Sequence, residues 1–346
     1  MVNLKDLTYG ELENKIVELG EPKYRAGQIF SWLYKDIKDF EDMKNIPNNL
    51  KDKLKKFSFI SGAEIEDKYI SKLDGTRKYL LRLSDGNFIE SVLMKYSHGY
   101  TICVSSQVGC RMGCKFCAST LNGRTRDLTP GEISDQLLAV SKDAGVKISN
   151  IVMMGIGEPL DNFDNVLKFI ENITNEKGLN IGMRHITVST CGLAEKIRLL
   201  ADKKLQLTLS VSLHASNDEI RSDIMPVNKK YHIRELMQAC DYYVSKTNRR
   251  ISFEYTLISG VNDNLREAAE LSALLKGKLC HVNLIPVNSV SETGFKRSSR
   301  ERIDKFREYL ELHGTPATVR REMGSDINAA CGQLRNKKEI SANDLM

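Results

Sequence analysis

Two hydrophobic periods alternate along most of the chain. Between about residues 98 and 300, short runs rich in β-branched and apolar residues alternate with longer stretches that have apolar residues every three or four positions. The runs predict strands and the stretches predict helices, so the repeats indicate an α/β fold, a parallel sheet with helices outside it, either doubly wound or curled toward a barrel. We predict strands at 101–106, 150–154, 185–190, 207–213, 251–258 and 281–287, and helices that include 130–144, 162–175, 232–246, 264–276 and 298–312.

The chain on either side of this array has a different pattern. Residues 1–56 predict a small helical module, in which Thr8 and Glu11 form a capping-box pattern before apolar residues at helical spacing. Residues 57–97 change to alternation interrupted by a turn with Asp-Gly, which predicts a β-hairpin extension. Residues 98–300 are the predicted core, and residues 301–346 are expected to add a helix, a strand and a loop.

The composition excludes several classes of protein. Of 346 residues, 41% are hydrophobic and 28% are charged, which fits neither a disordered chain nor a collagen-like repeat. No apolar stretch approaches the roughly 18 residues of a membrane span, and charged residues such as Lys5 and Asp6 interrupt the N-terminal segment. We therefore expect a cytoplasmic protein. The net charge of +6 is too small to indicate nucleic-acid binding by itself.

Three of the eight cysteines form a tight cluster. Cys110, Cys114 and Cys117 are spaced Cys-x-x-x-Cys-x-x-Cys directly after the first predicted strand of the array. Because iron–sulfur clusters usually take four cysteines, three in one loop favour a cluster with one iron left open to another ligand. Zinc is the alternative, but its fourth ligand would have to come from far along the chain, as His185 or Cys191 would.

The segment around these cysteines resembles a known family. From Ser105 to Thr120 the chain reads Ser-Ser-Gln-Val-Gly-Cys-Arg-Met-Gly-Cys-Lys-Phe-Cys-Ala-Ser-Thr, which is similar to the adenine-C2 RNA methyltransferases of the RlmN family. These belong to the radical S-adenosylmethionine (SAM) superfamily. The resemblance covers nearly the whole chain and continues in Met154-Gly-Ile-Gly-Glu158-Pro-Leu, Ile186-Thr-Val-Ser189-Thr, Ser212-Leu-His214, Met225-Pro-Val-Asn228, Asn283-Leu-Ile-Pro-Val-Asn288 and Ala329-Ala-Cys331-Gly-Gln-Leu.

The resemblance implies a partial barrel of six βα units that holds a [4Fe-4S] cluster on Cys110, Cys114 and Cys117. It also implies two SAM molecules per turnover, because C2 of adenine has no nucleophilic lone pair and needs a methyl carrier. One SAM would methylate Cys331. The second would yield a 5′-deoxyadenosyl radical that removes hydrogen from the S-methyl group, and the resulting carbon radical would add to C2.

Two further residues complete the implied reaction. Glu90 matches the residue that takes the C2 proton in the family, and Cys103 matches the residue that resolves the thioether adduct. Resolution would leave a Cys103–Cys331 disulfide for a reductant to reopen. Taken alone, Cys103 would more often be a small buried hydrophobic residue on its strand, and Glu90 would more often face solvent.

The SAM contacts are also implied by the resemblance. Gly157 and Glu158 would recognise the amino group of the methionine moiety; a dinucleotide fingerprint fails there because Leu160 replaces its third glycine. The remaining implied contacts are Ser189, Ser212, Leu213, His214 and Asn288.

The implied partners are RNA and an electron donor. The substrate would be an adenosine of 23S ribosomal RNA near the peptidyl transferase centre, and in some relatives also the adenosine beside the transfer RNA anticodon. The reductant would be a protein such as flavodoxin or ferredoxin, and a monomer without membrane attachment is expected. Basic candidates for RNA contacts are Arg111, Arg124, Arg126, Arg297 and Arg300, while Lys51, Lys53, Lys55 and Lys56 suit either RNA docking or a stabilising cap.

Three other functions stay open, one of which is a radical enzyme that acts on a protein or a small molecule and forms product without RNA. Cfr-type relatives methylate C8 with the same cysteine pair, although the words Gln107-Val-Gly109 and Cys117-Ala-Ser-Thr120 look more like the C2 enzymes. A non-catalytic iron–sulfur or zinc RNA-binding module is a rival from another class, and it would need neither Cys103 nor Cys331.

Overall fold

The computed structural model describes residues 1–35, 37–288 and 294–334, beginning with a helical module. The capping box is present: the Glu11 N–H donates to Thr8 Oγ1, and the Thr8 N–H donates to the Glu11 carboxylate. Two short strands pair in parallel and bring the ends of the module together. Its elements are β1 (Val2–Asn3), α1 (Tyr9–Glu18), α2 (Tyr24–Leu33), α3 (Asn48–Phe57) and β2 (Ser58–Phe59).

Twelve further strands follow this module in the described chain, and ten of them form one continuous sheet. The other two, β7 and β8, pair with each other as a small antiparallel hairpin. In chain order the strands are β3 (Glu64–Ile70), β4 (Arg77–Arg82), β5 (Phe88–Tyr96), β6 (Gly99–Cys103), β7 (Gln107–Gly109), β8 (Arg124–Asp127), β9 (Ile148–Met153), β10 (Ile186–Thr190), β11 (Thr208–Ser212), β12 (Ile251–Leu257), β13 (Cys280–Pro286) and β14 (Ala317–Val319).

The sheet confirms the predicted partial barrel. Its order is β14-β13-β12-β11-β10-β9-β6-β5-β4-β3, and all strands from β6 to β14 run parallel. Within the described chain the sheet keeps two free edges, β3 and β14, so the barrel is open. All six predicted strands are present, and β14 adds a seventh parallel strand. The carboxyl ends of these strands therefore meet at one edge.

Helices separate the parallel strands, as the sequence predicts. The predicted helix at 130–144 begins after a capping box of Thr129 and Glu132, with Pro130 in its first turn, and ends at Gly145 with a φ of 64°. None of the helices in the described ranges combines the length and apolarity needed to cross a bilayer. The helices are α4 (Pro130–Ala144), α5 (Phe163–Thr174), α6 (Ala194–Asp202), α7 (Asp218–Ile224), α8 (Ile233–Thr247), α9 (Leu265–Leu275) and α10 (Arg300–Leu312).

The segment at 57–97 is joined to the core rather than separate from it. β4 and β5 form the predicted hairpin, and β3 adds a third antiparallel strand. β5 also pairs with β6, with Val92 opposite Cys103, so the extension continues the main sheet. The exposed side chains of β3 carry no alternating apolar face, which is why alternation did not predict this strand.

A buried ion pair fastens the N-terminal module to α4. Lys5 Nζ lies 2.6 Å from Asp135 Oδ1, and the two side chains are 1% and 3% exposed. Burial raises the pKa of Asp135, and the charge of Lys5 opposes this rise. Lys5 Nζ also donates to the Ser61 carbonyl at 2.9 Å. The docking of the module therefore depends on a charge pair that excludes water.

Removing one member of this pair should be costly. We expect Lys5→Met to lower the free energy of unfolding by about 3–5 kcal/mol, because Asp135 is left buried without its partner. The double variant with Asp135→Leu should recover much of that loss. Urea unfolding followed by circular dichroism measures both. Lys15→Met, which breaks an exposed pair with Glu18, is the matched control, and an equally small loss in Lys5→Met would contradict the expectation.

Candidate active site

The three clustered cysteines lie on one loop beyond the carboxyl end of β6. The Cys110 N–H donates to the Gly123 carbonyl at 2.8 Å, and the β7–β8 hairpin brackets the loop. Gly109 has a φ of 72°, and a Cβ there would lie 2.0 Å from the Gly123 carbonyl oxygen, so only glycine fits. Cys110 and Cys114 are buried, and Cys117 is half-buried. The hairpin thus fixes the loop that carries all three thiols.

A cavity at this edge of the sheet gathers most of the predicted site residues. It encloses about 920 Å³ when the open space at its mouth is included. Leu213 differs from the other predicted residues, because its side chain is fully buried in the hydrophobic core. The predicted residues that line the cavity are Cys110, Cys114, Cys117, Gly157, Glu158, Ser189, Ser212, His214, Asn288 and Cys331.

The cysteine loop offers three thiols to a metal centre. A structural zinc ion takes four ligands around one centre, whereas a [4Fe-4S] cluster contacts each cysteine through a different iron. Three thiols on one loop fit a cluster that keeps one iron for another ligand.

Gly157 and Glu158 form the turn after β9. Gly157 has a φ of 104°, and a Cβ there would lie 2.6 Å from the Cβ of Gln107, so this close approach requires glycine. The Glu158 carboxylate accepts hydrogen bonds from the N–H groups of Leu160 at 3.0 Å and Cys191 at 2.7 Å. Burial raises the pKa of Glu158, and these backbone hydrogen bonds oppose the rise. They also hold the carboxylate at the cavity wall.

His214 supplies a neutral hydrogen-bond donor to the cavity. Its Nδ1 accepts the N–H of Thr256 at 2.9 Å, and its ring packs edge-on against Phe116. Burial, together with the charge of Arg221, lowers the pKa of His214 to about 3, so the ring is neutral near pH 7. Because Nδ1 accepts a hydrogen bond, the proton of the neutral ring lies on Nε2.

Arg221 on α7 ties together the ends of two strands behind the cavity. It is fully buried, and its Nε donates to the Leu213 carbonyl at 3.0 Å. Its Nη2 donates to the carbonyls of Cys191 at 2.7 Å and Ser212 at 3.2 Å. These bonds fix the turns after β10 and β11. Cys191, which the sequence offers only as a distant fourth ligand for zinc, also lines the cavity.

A second chamber adjoins the first and contains Cys103. It measures about 530 Å³ when the open space at its mouth is included. Burial raises the pKa of Cys103 to about 12, the neighbouring Cys331 adds to the rise, and Arg320 opposes it. Cys331 lines both chambers, and its carbonyl accepts a hydrogen bond from Asn288 Nδ2 at 3.0 Å. Both cysteines are free thiols here, so their pairing as a disulfide stays a prediction.

Cys331 lies on an irregular segment, residues 324–334, which we term the 324–334 loop. Gly324 opens it with a φ of 65°, in the left-handed region that favours glycine. The turn between β3 and β4 holds this loop: the Gly324 N–H donates to Asp74 at 2.9 Å, and the Lys72 N–H donates to Asp326 at 2.9 Å. The extension at 57–97 thus positions the segment that carries Cys331.

Glu90 lies on β5, on the same sheet face as Cys103. Val92 pairs with Cys103 across the sheet, and side chains two positions apart on a strand share a face. Glu90 is buried, and its Oε1 lies 3.4 Å from Lys78 Nζ, which also donates to a carbonyl of the 324–334 loop. Glu90 is near the Cys331 segment but is not among the residues lining either chamber.

Most of the basic side chains suggested for RNA contacts are paired with carboxylates. Arg300 is the most open of the arginines, since its side chain is 96% exposed and 3.8 Å from Asp304. Which cations meet RNA therefore stays a prediction. The other pairs are Arg111–Asp161, Arg124–Asp161, Arg126–Glu132, Arg297–Glu322, Lys51–Glu41, Lys53–Glu21 and Lys55–Glu41.

Three polar side chains at the site, Arg221, Glu254 and Arg320, were not predicted from the sequence. Glu254 lines the first cavity, and its carboxylate accepts hydrogen bonds from Ser210 Oγ and Asn283 Nδ2, both at 2.7 Å. An acidic residue at the centre of the apolar strand β12 was the available signal for Glu254. No local pattern marks the two arginines, because each acts through residues distant in sequence.

Comparison with known proteins gives full-length matches. The chain is 58% identical to the probable dual-specificity RNA methyltransferase RlmN of Clostridium botulinum (strain Alaska E43 / Type E3), over 97% of this chain and 96% of that protein. It is 55% identical to the protein of the same name from Thermoanaerobacter sp. (strain X514), over 97% and 98%. The crystal structure of a radical SAM methyltransferase from Sphaerobacter thermophilus matches with a TM-score of 0.91 and 46% identity, over 97% of this chain and 99% of that chain.

Two family models match successive parts of the chain. Residues 2–60 match the ribosomal RNA large subunit methyltransferase N-terminal domain, and residues 104–272 match the radical SAM superfamily. That superfamily implies a [4Fe-4S] cluster and SAM, and the cysteine loop and its cavity fit both. With the relatives matched over nearly their whole length, the chain belongs to the RlmN family of radical SAM RNA methyltransferases.

Proposed function

We propose that this enzyme methylates C2 of an adenosine in 23S ribosomal RNA near the peptidyl transferase centre. The adenosine beside the transfer RNA anticodon is proposed as a second substrate. The observation that supports this most directly is the position of Cys331, which lines both chambers. A methyl carrier must first contact the methyl donor and later contact the base and a resolving thiol. Cys331 lines both the chamber proposed for the donor and the chamber that contains Cys103.

The first chamber is the proposed SAM site. Cys110, Cys114 and Cys117 would hold the cluster, which in its reduced state supplies the electron that cleaves SAM to a radical able to activate an S-methyl group. Glu158, held by two backbone N–H groups, would accept the ammonium group of the methionine moiety. The Nε2–H of His214 adds a neutral donor, so it does not repel that ammonium group. Gly157, Ser189, Ser212, Leu213 and Asn288 are the other proposed contacts.

The second chamber is the proposed place of transfer and release. Cys331 takes a methyl group from one SAM, and a second SAM supplies the radical in each turnover. Glu90 is proposed to accept the C2 proton, and Lys78, 3.4 Å away, holds its side chain on the sheet face of Cys103. Cys103 then attacks the sulfur of Cys331 and frees the methylated base, leaving a disulfide. This order requires both thiols to be free at the start.

The cellular compartment proposed for the enzyme follows from the redox state that its thiols require. Eight free cysteines and a cluster suit a reducing compartment, so we propose a cytoplasmic enzyme. A low-potential protein such as flavodoxin or ferredoxin is proposed as its electron donor, and a monomer as its working form. The C8 alternative uses the same cysteine pair, so only the product distinguishes it from the C2 reaction.

Substitution of each cysteine should stop the reaction at a different point. Cys331→Ala should form no methyladenosine yet keep its cluster, because the carrier is lost but no cluster ligand is. Cys103→Ala should accumulate a covalent RNA–protein adduct, because the thioether meets no resolving thiol. Each variant, with its cluster reconstituted, is incubated anaerobically with unmodified 23S RNA, SAM and reductant; mass spectrometry detects the nucleoside and a denaturing gel detects the adduct.

Cys240→Ala is the matched control for these variants. Cys240 is buried on α8 and lines neither of the two chambers, so its loss should leave the product yield unchanged. Methyladenosine formed by Cys331→Ala would refute the carrier role, and absence of an adduct in Cys103→Ala with normal product would refute the resolving role.

Glu158 should determine SAM affinity. We expect Glu158→Gln to raise the Kd for SAM at least about tenfold, because a charge-assisted hydrogen bond worth roughly 1.5–3 kcal/mol is lost. Equilibrium dialysis of labelled SAM against the reconstituted protein measures this change. Glu219→Gln, at an exposed position of α7, is the control, and equal affinities of the two variants would count against the proposed ammonium contact.

A further inference from the structure

Arg320 stands at the wall that the two chambers share. It directly follows β14, and its backbone N–H donates to the Leu284 carbonyl at 2.8 Å. Its Nη1 lies 3.6 Å from the sulfur of Met154. The backbone N–H of Met154 donates in turn to the Cys103 sulfur. Met154 therefore connects the Arg320 guanidinium to the Cys103 thiol.

Arg320, like the buried Arg221, lacks a carboxylate partner among the described residues, but its guanidinium lies beside the two chambers rather than on backbone carbonyls. Arg111, Arg124 and Arg297 each pair with a carboxylate, whereas no carboxylate of residues 1–35, 37–288 and 294–334 forms an ion pair with Arg320. Glu254 is the acid that comes nearest to serving as a partner of Arg320, but its carboxylate oxygens accept hydrogen bonds from other side chains. Holding a cation in a partly buried wall without a paired acid is costly, and such groups concentrate at functional sites.

The surroundings of Cys103 explain why a cation is useful there. Burial raises the pKa of Cys103 to about 12, and Cys331 raises it too, so the thiolate is scarce near neutral pH. The charge of Arg320 acts in the opposite direction. The charged or titratable groups around this thiol are Arg320, Cys331 and Tyr96 of the chamber, Arg321 and Glu322 of its wall, and Glu90 with Lys78 on the same sheet face.

We propose that Arg320 is the positioning residue of the resolving step, where its guanidinium stabilises the thiolate that Cys103 forms as it attacks the sulfur of Cys331. This inference rests on the proposed function and adds to it a residue that acts through Cys103. The geometry suits the role, because Arg320 and both thiols line the same chamber.

Before the resolving step the adduct must lose its C2 proton and its unpaired electron, which the oxidised cluster would take back. From that closed-shell thioether the resolving step balances without an external oxidant. The Cys103 thiolate attacks the Cys331 sulfur of the thioether, so the S–S bond forms and the bond from sulfur to the methylene carbon breaks. The electron pair of that bond passes to the methylene carbon and into the electron-poor purine ring. One proton then completes the methyl group. Negative charge thus leaves Cys103 as the step proceeds, and a nearby cation matters most for forming the nucleophile.

Single-turnover kinetics of the adduct tests this role. Arg320→Met and Arg320→Lys, with clusters reconstituted, are mixed anaerobically with unmodified 23S RNA, SAM and reductant, and the RNA–protein adduct is followed on denaturing gels from neutral to mildly alkaline pH. We expect Arg320→Met to accumulate adduct and to resolve it about tenfold or more slowly, the factor that one pKa unit of lost thiolate produces. A higher pH should restore its rate, and Arg320→Lys should recover most of it.

Three measurements show whether slow resolution has a cause other than the loss of Arg320. Iron content and melting temperature show whether each variant is folded and loaded, and mass spectrometry of Cys331 shows whether its methylation is intact. Arg266→Met, whose side chain on α9 is 82% exposed, is the matched control and should resolve the adduct as the unmodified enzyme does.

The possible results distinguish failure of the role proposed for Arg320 from failure of the proposed function. Resolution by Arg320→Met at the unmodified rate, or a block before Cys331 is methylated in both Arg320 variants, would overturn the role of Arg320 while leaving the proposed function in place. If the unmodified enzyme makes no methyladenosine and Cys103→Ala forms no adduct, the proposed function itself fails and this inference fails with it.

Discussion

In the proposed reaction the sulfur of Cys331 has to be reached from two sides, and much of the structure suits that requirement. Parallel strands bring their carboxyl ends to one edge, where the cysteine loop and the turn with Glu158 form one chamber. The antiparallel extension continues the same sheet past Cys103 and forms part of the wall of the second chamber. The 324–334 loop then places Cys331 where the chambers meet. A closed barrel would leave no edge on which to add the extension.

Buried polar groups fix the turns that carry the chemistry. Arg221 donates to three carbonyls at the ends of β10 and β11, and Glu158 accepts two backbone N–H groups. Such groups are costly to bury unless bonded, so each turn has little freedom to move once these bonds form. The 324–334 loop is held differently, by hydrogen bonds that Asp74 and Asp326 accept at its edge. It is therefore the less deeply anchored part of the site.

Local patterns predicted much of this molecule, and long-range contacts account for the rest. The periodicity gave the six core strands and the helix at 130–144, whose capping box and glycine end are both local signals. The cysteine spacing marked the cluster loop. β3 was missed because its exposed side chains lack alternation, and Arg320 because its partners lie on other strands. Arg111 is the opposite case. Its charge suggested a contact with RNA, and the structure pairs it with Asp161, which lies far away in the sequence.

The most direct test of the carrier mechanism uses SAM with a fully deuterated methyl group and unmodified 23S RNA, followed by mass spectrometry of the digested nucleosides. A methyl group that passes through Cys331 loses one deuterium to the radical and gains one proton on release. The product should therefore be 2-methyladenosine with two deuterium atoms in its methyl group. A methyl group that keeps all three would contradict transfer through a carbon radical, and label at C8 would contradict the assigned position on the base.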